Sequence, residues 1–347
     1  MKIIKNLIIY FLIIIILFSL KYPVNNLISK RFLISNKKRI MKRILLFKIF
    51  KQTRININNI STLFIKGIAR FGNLFISLNN AIIYCELISC KKIIVEYSSI
   101  IYINQPIFCK KRNFTIEPNQ SFNYKGKTNS VILDVYFFFF TGFRYLGNVN
   151  RMGIFKKQLL NNLPKVITHP NDLYIYIRGG DIFLESYTHN IRGYFQPPLC
   201  FYEKILDNFK FNKVFILSQD SLNPVIPKLL NKYSYISKKK NELKVDISYL
   251  INSYKMVAGK STFFSTSIKF NDKLNFLWEY DYSLSSQKYL HLHYSVYKFP
   301  FYYTVYKMNS STNYRKFMSP WLNTPKQRKM MIKEKCKKNF DIIRKNQ

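Results

Sequence analysis

The sequence predicts an α/β protein built as two doubly wound halves, and three observations predict it. Short β-prone runs alternate with segments of helical periodicity, first near residues 62–96 and again from residue 173 to 278. Glycine-rich or polar turns stand at the ends of the predicted strands, at Arg70–Asn73, Arg178–Asp181, Ser218–Asp220 and Gly259–Thr262. The chain has 347 residues, 48% of them hydrophobic and 17% aromatic, enough for two cores.

The elements follow in order. Leu7–Leu20 is almost purely apolar, with Lys2 and Lys5 before it and Lys21 after it. Counted from Ile3 it runs 18 residues, the length needed to cross a hydrocarbon core of ~30 Å. No small-residue cleavage pattern follows Leu20, which favours a retained anchor (residues 1–21) over a cleaved signal. A basic stem occupies residues 22–60. Its Lys30, Arg31, Lys37, Lys38, Arg39, Lys42 and Arg43 argue for a cytoplasmic body by the positive-inside rule, an asymmetry diluted in a chain this basic. Four sequons, at Asn59, Asn113, Asn119 and Asn309, suit a lumenal body instead.

The first half, residues 61–165, opens with a strand at Thr62–Lys66 and the turn Arg70–Asn73. A helix follows with Leu74, Leu78, Ala81, Ile82, Cys85 and Ile88 on one face, then a strand at Lys92–Glu96. Cys85 and Cys90 are expected on that one helix, too far apart to bridge. The odd total of five cysteines leaves at least one thiol free in a monomer. Val131–Phe140 is a further apolar strand.

The second half, residues 166–285, reads more cleanly. Strands are expected at Leu173–Ile177, Lys213–Ser218, Tyr254–Ala258 and Asn275–Trp278. Helices are expected from Pro197 to Phe209 and over Ser221–Asn231, Asp246–Ser253 and Ser261–Phe270. Residues 286–347 form an extension ending in a basic helix, Thr324 to Lys338, expected to be a solvated surface helix.

The net charge of +39 suits polyanions, an anionic membrane surface or phosphorylated ligands. The same Lys content accompanies the Ile, Asn, Tyr and Phe richness of an AT-rich coding sequence, and no zinc-finger or RNP-like motif is present. Nucleic acid is therefore not an expected partner. A basic membrane protein that holds polyanions by charge alone remains one reading.

The chemistry gathers at the turns. Arg178 ends a strand, where open α/β sheets bind ligands, and its planar fork suits a phosphate. Gly179 and Gly180 allow a sharp turn and a close backbone approach. Asn73 and Ser261-Thr262 open helices, where backbone N–H groups favour anions. Asp181 is a candidate base, with Glu185 and His189 behind it. His169, His291 and His293 lack metal partners at useful spacing, and no Asp-x-Asp occurs.

Taken together, Arg70-Phe71-Gly72-Asn73, Tyr176-Ile177-Arg178-Gly179-Gly180-Asp181, Phe215-Ile216-Leu217-Ser218-Gln219-Asp220 and Asp246 with Val257-Ala258-Gly259-Lys260-Ser261-Thr262-Phe263 resemble, in order and spacing, the motifs of the fucosyltransferase superfamily. The resemblance covers roughly residues 62–270. It implies a GT-B-like fold of two Rossmann-like halves and a metal-independent inverting transfer of a fucose-like sugar. The donor would be a GDP-sugar, with no other cofactor, and the acceptor a hydroxyl of a glycan or protein. By it, Arg178 and Asp181 are the catalytic candidates. Gly72, Asn73, Arg178, Ser218, Asp220, Asp246, Ser261, Thr262 and Phe263 hold the donor nucleotide, with Asp246 at the guanine edge. If the anchor is type II, the chain is a single-pass membrane protein whose body faces the Golgi or ER lumen. Tyr176 stands where many members carry His, and Gly179 where they carry a second Arg. These departures keep open a degenerate protein of the same fold that binds a sugar nucleotide without turnover.

Overall fold

The computed structural model describes residues 61–66, 89–95, 107–109, 114–118, 130–134, 163–184, 196–239, 241–281, 303–336 and 339–345, together with scattered helical positions between 72 and 85 and at 161. All belong to the compact unit Ile60–Gln347. The expected anchor and stem lie outside the described residues. Among those described, no helix is long and apolar enough to cross a membrane.

Two sheets organise the chain. The first holds β1 (Thr62–Lys66), β2 (Lys92–Val95), β3 (Ile107–Cys109), β4 (Phe114–Pro118) and β5 (Ser130–Asp134) in the order β3-β4-β2-β1-β5. β1 pairs parallel with both β2 and β5, and β2 with β4; only β3 runs antiparallel. Leu63, Phe64, Ile65, Ile93, Ile94 and Val95 are buried, as expected of strands covered on both faces. Helical residues Leu74, Phe75, Leu78, Ala81, Ile82 and Cys85 are likewise buried, the stripe that the periodicity predicts.

The second sheet holds seven strands: β6 (Leu173–Tyr176), β7 (Val214–Leu217), β8 (Ile236–Lys239), β9 (Lys255–Val257), β10 (Phe276–Asp281), β11 (Tyr303–Asn309) and β12 (Asp341–Lys345). Their order is β12-β11-β10-β9-β6-β7-β8, all parallel except β12. Period-two alternation divides β6 between two cores. Leu173, Ile175 and Ile177 pack with the helices Leu199–Asn208 and Val225–Lys232. Tyr174 and Tyr176 face the other way, with residues of the helices Leu243–Asn252 and Thr262–Ser267.

The chain starts this sheet in its middle. It winds outward through β7 and β8, then returns to the other side of β6 for β9, β10 and β11. In order of appearance the parallel strands read 3-2-1-4-5-6, and the winding reverses between β6 and β9. Loops leaving two neighbouring strands to opposite faces open a crevice there, the usual ligand site of such sheets. The first sheet reverses in the same way between β1 and β5.

Two expectations are corrected. Cys85 and Cys90 are joined, with α-carbons 4.8 Å apart. Ser89 takes a left-handed conformation (φ 58°) and turns the chain back, so Cys90 no longer continues the helix. The basic tail helix runs Pro325–Lys333 and is not merely solvated. Thr324 and Gln327 form a reciprocal capping box, Gln327 and Met331 are buried, and Cys336 beyond it is bonded to Cys200 across α-carbons 5.6 Å apart. β8, β11 and β12 are strands that the sequence pattern did not single out. Of the four sequons, Asn309 alone lies among the described residues; it ends β11 and donates its amide to Asp341 of β12 at 2.9 Å.

Candidate functional site

The site lies at the carboxyl edge of the second sheet, around the reversal between β6 and β9. β6 ends at Tyr176, and Ile177 takes one more sheet bond by donating its N–H to the Leu217 carbonyl. Arg178 follows directly, half-buried, at the mouth of the crevice. Its guanidinium lies 3.7 Å from the Asp181 carboxylate, so the two predicted catalytic residues stand side by side as an ion pair.

The two glycines between them are there for different reasons. A β-carbon on Gly179 would fall against the Asp220 carboxylate, its Cγ only 2.9 Å away. Gly180 adopts φ +71°, a conformation that L side chains rarely take, and opens the 3-10 turn Gly180–Phe183. Space for a second basic side chain at position 179 is thus filled by Asp220.

Asp220 itself is occupied. Its carboxylate accepts the Gly180 N–H at 2.6 Å and the Leu222 N–H at 2.9 Å, which ties the turn after β6 to the turn after β7. Asn223, fully buried, repeats the tie. Its side-chain amide donates to the Arg178 carbonyl at 3.1 Å, and its carbonyl accepts the Val225 N–H at 3.1 Å. Asp220 is therefore placed as a clamp on the Arg178 turn. Ser218, just past the end of β7, is 3% exposed, and its hydroxyl has no hydrogen-bond partner among the described residues.

The opposite wall comes from β9. A β-carbon on Gly259 would stand 2.5 Å from the Tyr176 carbonyl and ring, so the glycine lets the β9 turn lie directly on the end of β6. Tyr176 continues the contact, its ring 5.3 Å from Phe263 and 5.7 Å from Phe264. Ser261 caps the helix Thr262–Ser267 by accepting the Phe264 N–H at 3.0 Å. Gln196 donates its side-chain amide to the Lys260 carbonyl at 3.4 Å.

The first half meets this wall at Gly72. A β-carbon there would overlap the carbonyl of Thr262 and approach Phe263 N within 2.7 Å. Thr266 Oγ1 faces the Gly72 carbonyl at 3.5 Å, and Phe75 packs on Phe270 with ring centroids 5.0 Å apart. The helical segment that follows β1 and the helix that follows β9 thus touch at Gly72 and Thr262. Asn73 lies outside the described residues, as do Arg70, Phe71, Glu185, His189, His291 and His293.

Asp246 occupies the same edge two strands out, in the first turn of the helix after β8. Burial pushes its carboxyl up to about 6, against the lowering pull of the Asn241 amide at 2.9 Å and of nearby Lys238. His169 is exposed on the loop before β6. Among the described residues no group of three or more His, Cys, Asp or Glu is arranged to hold a metal ion.

Sequence reasoning missed a second set of clamps. Trp321 Nε1 donates to the Ile182 carbonyl at 2.8 Å, Arg328 Nη2 to Phe183 at 2.5 Å and Asn323 Nδ2 to Leu184 at 2.8 Å. Tyr314 Oη donates to the Gln196 carbonyl at 2.8 Å. The spacing Thr324-Pro325-x-Gln327 is a helix-start signature that sequence reasoning can use. Nothing local tied it to a turn more than a hundred residues earlier. Compared with known proteins, the chain matches no family model, no curated protein and no solved structure.

Proposed function

We propose that the chain is a GT-B-like glycosyltransferase that binds the diphosphate of a nucleotide sugar at the reversal between β6 and β9 and transfers the sugar to an acceptor hydroxyl. The observation that carries this reading is the convergence there of Arg178, Ser261 and Thr262, with Gly72 of the other half against Thr262. In the reaction the acceptor oxygen bonds to the anomeric carbon as the bond to the diphosphate oxygen breaks. The hydroxyl proton passes to a base, for which Asp181 is the candidate, and negative charge grows on the leaving diphosphate. A guanidinium held beside that charge stabilises it without reorganisation. The donor that the motif resemblance favours is a GDP-sugar carrying a fucose-like residue, with Asp246 toward the base.

The two disulfides support an oxidising compartment, and hence a lumenal body behind the N-terminal anchor. One observation favours a second reading, nucleotide-sugar binding without turnover: Asp181, the candidate base, is already the ion partner of Arg178.

Thermal unfolding of the purified protein with GDP, UDP and CMP tests the donor site, in wild type and Arg178→Ala. A ligand that binds only the folded state raises the melting temperature. A GDP-selective rise that disappears in Arg178→Ala is the expected result. A UDP-selective rise would keep the site and change the donor. No rise with any of the three overturns the proposal. Turnover of the GDP-sugar, assayed by GDP release with a panel of glycan and peptide acceptors, separates the two readings. Arg178→Ala should lower that rate by about a hundredfold or more.

A further inference from the structure

The segment Arg178–Leu184 is held at five backbone groups by side chains from elsewhere. From the β7 side, Asn223 holds the Arg178 carbonyl and Asp220 holds the Gly180 N–H. From the C-terminal segment, Trp321, Arg328 and Asn323 take the carbonyls of three consecutive residues, Ile182, Phe183 and Leu184. Further contacts order these three. Arg328 Nε donates to Asn323 Oδ1 at 2.8 Å, and the Trp321 ring packs edge-on against Phe183 with centroids 5.3 Å apart. Gln327 closes the loop around them, accepting the Leu322 N–H at 2.9 Å and donating to the Pro320 carbonyl at 2.8 Å. Cys336, three residues past the helix, is bonded to Cys200.

Such an investment in one turn has a physical cause. Two successive glycines have little conformational preference of their own, so the direction in which Arg178 points is not fixed locally. A displacement of about 1 Å in a charge-stabilising group is enough to lose most of its effect. We propose that Trp321, Asn323 and Arg328 form a C-terminal latch that positions Arg178 for an anionic ligand, and that the Cys200–Cys336 disulfide holds this latch closed. The inference rests on the reading of Arg178 as a diphosphate ligand. Its residues are positioning residues, acting through the turn rather than on the ligand.

A double-mutant cycle separates positioning from general stability, because a residue that acts only through another has no effect once the other is gone. The probe is inorganic pyrophosphate, which carries no base and so does not depend on the donor's identity. Its affinity for the full-length protein is measured by calorimetry at fixed ionic strength. Arg328→Ala should weaken pyrophosphate about tenfold, the loss that follows from one misplaced charge-assisted hydrogen bond. It should have no further effect in the Arg178→Ala background. Asn323→Gly provides a second variant that keeps the backbone, since Asn323 sits at φ 56° and glycine tolerates that angle; it should act in the same direction. Cys200→Ser with Cys336→Ser should do likewise. Equal loss in both backgrounds, or no loss in folded Arg328→Ala and Asn323→Gly, overturns the latch while leaving the site. Pyrophosphate affinity that is unchanged by Arg178→Ala overturns the site, and the latch with it.

Discussion

Gly72 and Thr262, 190 positions apart in the chain, meet backbone to backbone: the site of the missing Gly72 side chain is filled by the Thr262 carbonyl. Alanine at position 72 gains up to about 1 kcal/mol of helix propensity. It also drives a methyl group into main-chain atoms that cannot rotate away, and overpacking of this kind costs about 1–3 kcal/mol. The steric cost wins, so Gly72→Ala should lower the urea midpoint. It should also diminish any nucleotide-induced rise in melting temperature, because the added methyl pushes the first half off the β9 wall. A midpoint at or above wild type would show that the two helix starts are free to separate.

Asp220→Ala removes an ionised acceptor from two backbone N–H groups, those of Gly180 and Leu222. Hydrogen bonds to a charged partner contribute about 1.5–3 kcal/mol each when buried, and Asp220 is only half-buried. A loss of about 2 kcal/mol is expected from denaturant titration, with faster amide hydrogen exchange at Gly180. Unchanged exchange at Gly180 would count against the clamp.

Asp246 makes stability depend on pH. Its folded carboxyl is pushed up to about 6, above the unfolded value near 4. Between those values the folded state binds the extra proton, so the contribution of Asp246 to stability is greatest below pH 4, declines as pH rises to about 6, and is flat beyond. Asp246→Asn retains an oxygen for the Asn241 amide and removes the titrating group. The variant should therefore be more stable than wild type above pH 6, by up to about 3 kcal/mol, and nearly equal to it at pH 4. Denaturant midpoints measured across this range decide it; parallel profiles for the two proteins would refute the assignment.

The two disulfides should differ in weight. They close loops with sequence separations of 136 and 5. On the chain-entropy scale these correspond to about 5 and about 2 kcal/mol. Replacing both Cys200 and Cys336 by Ser should lower the melting temperature more than replacing Cys85 and Cys90. Alkylation before and after reduction, read by mass spectrometry, should label these four positions only after reduction.

Much of this organisation can be read from local pattern. β1, β6, β7 and β9 lie within a residue or two of where β-prone runs and their bounding turns place them, because each is apolar and ends on a polar or glycine turn. β8 was hidden, since in Ile-Ser-Lys-Lys only Ile236 is buried and an edge strand need not look like a strand. β11 and β12 lie in an extension whose aromatic and basic residues show no clear alternation; their partners are set by the sheet. At the site, sequence alone marks Arg178 and its glycines. It does not show that Asp220 is already engaged with Gly180, or that Trp321 and Arg328 return to Ile182 and Phe183. Those contacts join residues 40 to 145 positions apart, and no local spacing encodes them.

The distance between Ile182 and Trp321 along the chain, 139 residues, also orders events during synthesis. Translation runs from the amino end, so the turn bearing Arg178 leaves the ribosome long before the segment that grips it. Until Trp321, Asn323 and Arg328 have emerged, a nascent chain holds the first sheet and all of the second but β12, with the Gly179-Gly180 turn held from the β7 side alone. A message cut short between residues 310 and 320 would yield a product with every described strand but β12 and none of the latch, so a test of the Arg178 turn is also a test of whether translation reached the segment that grips it.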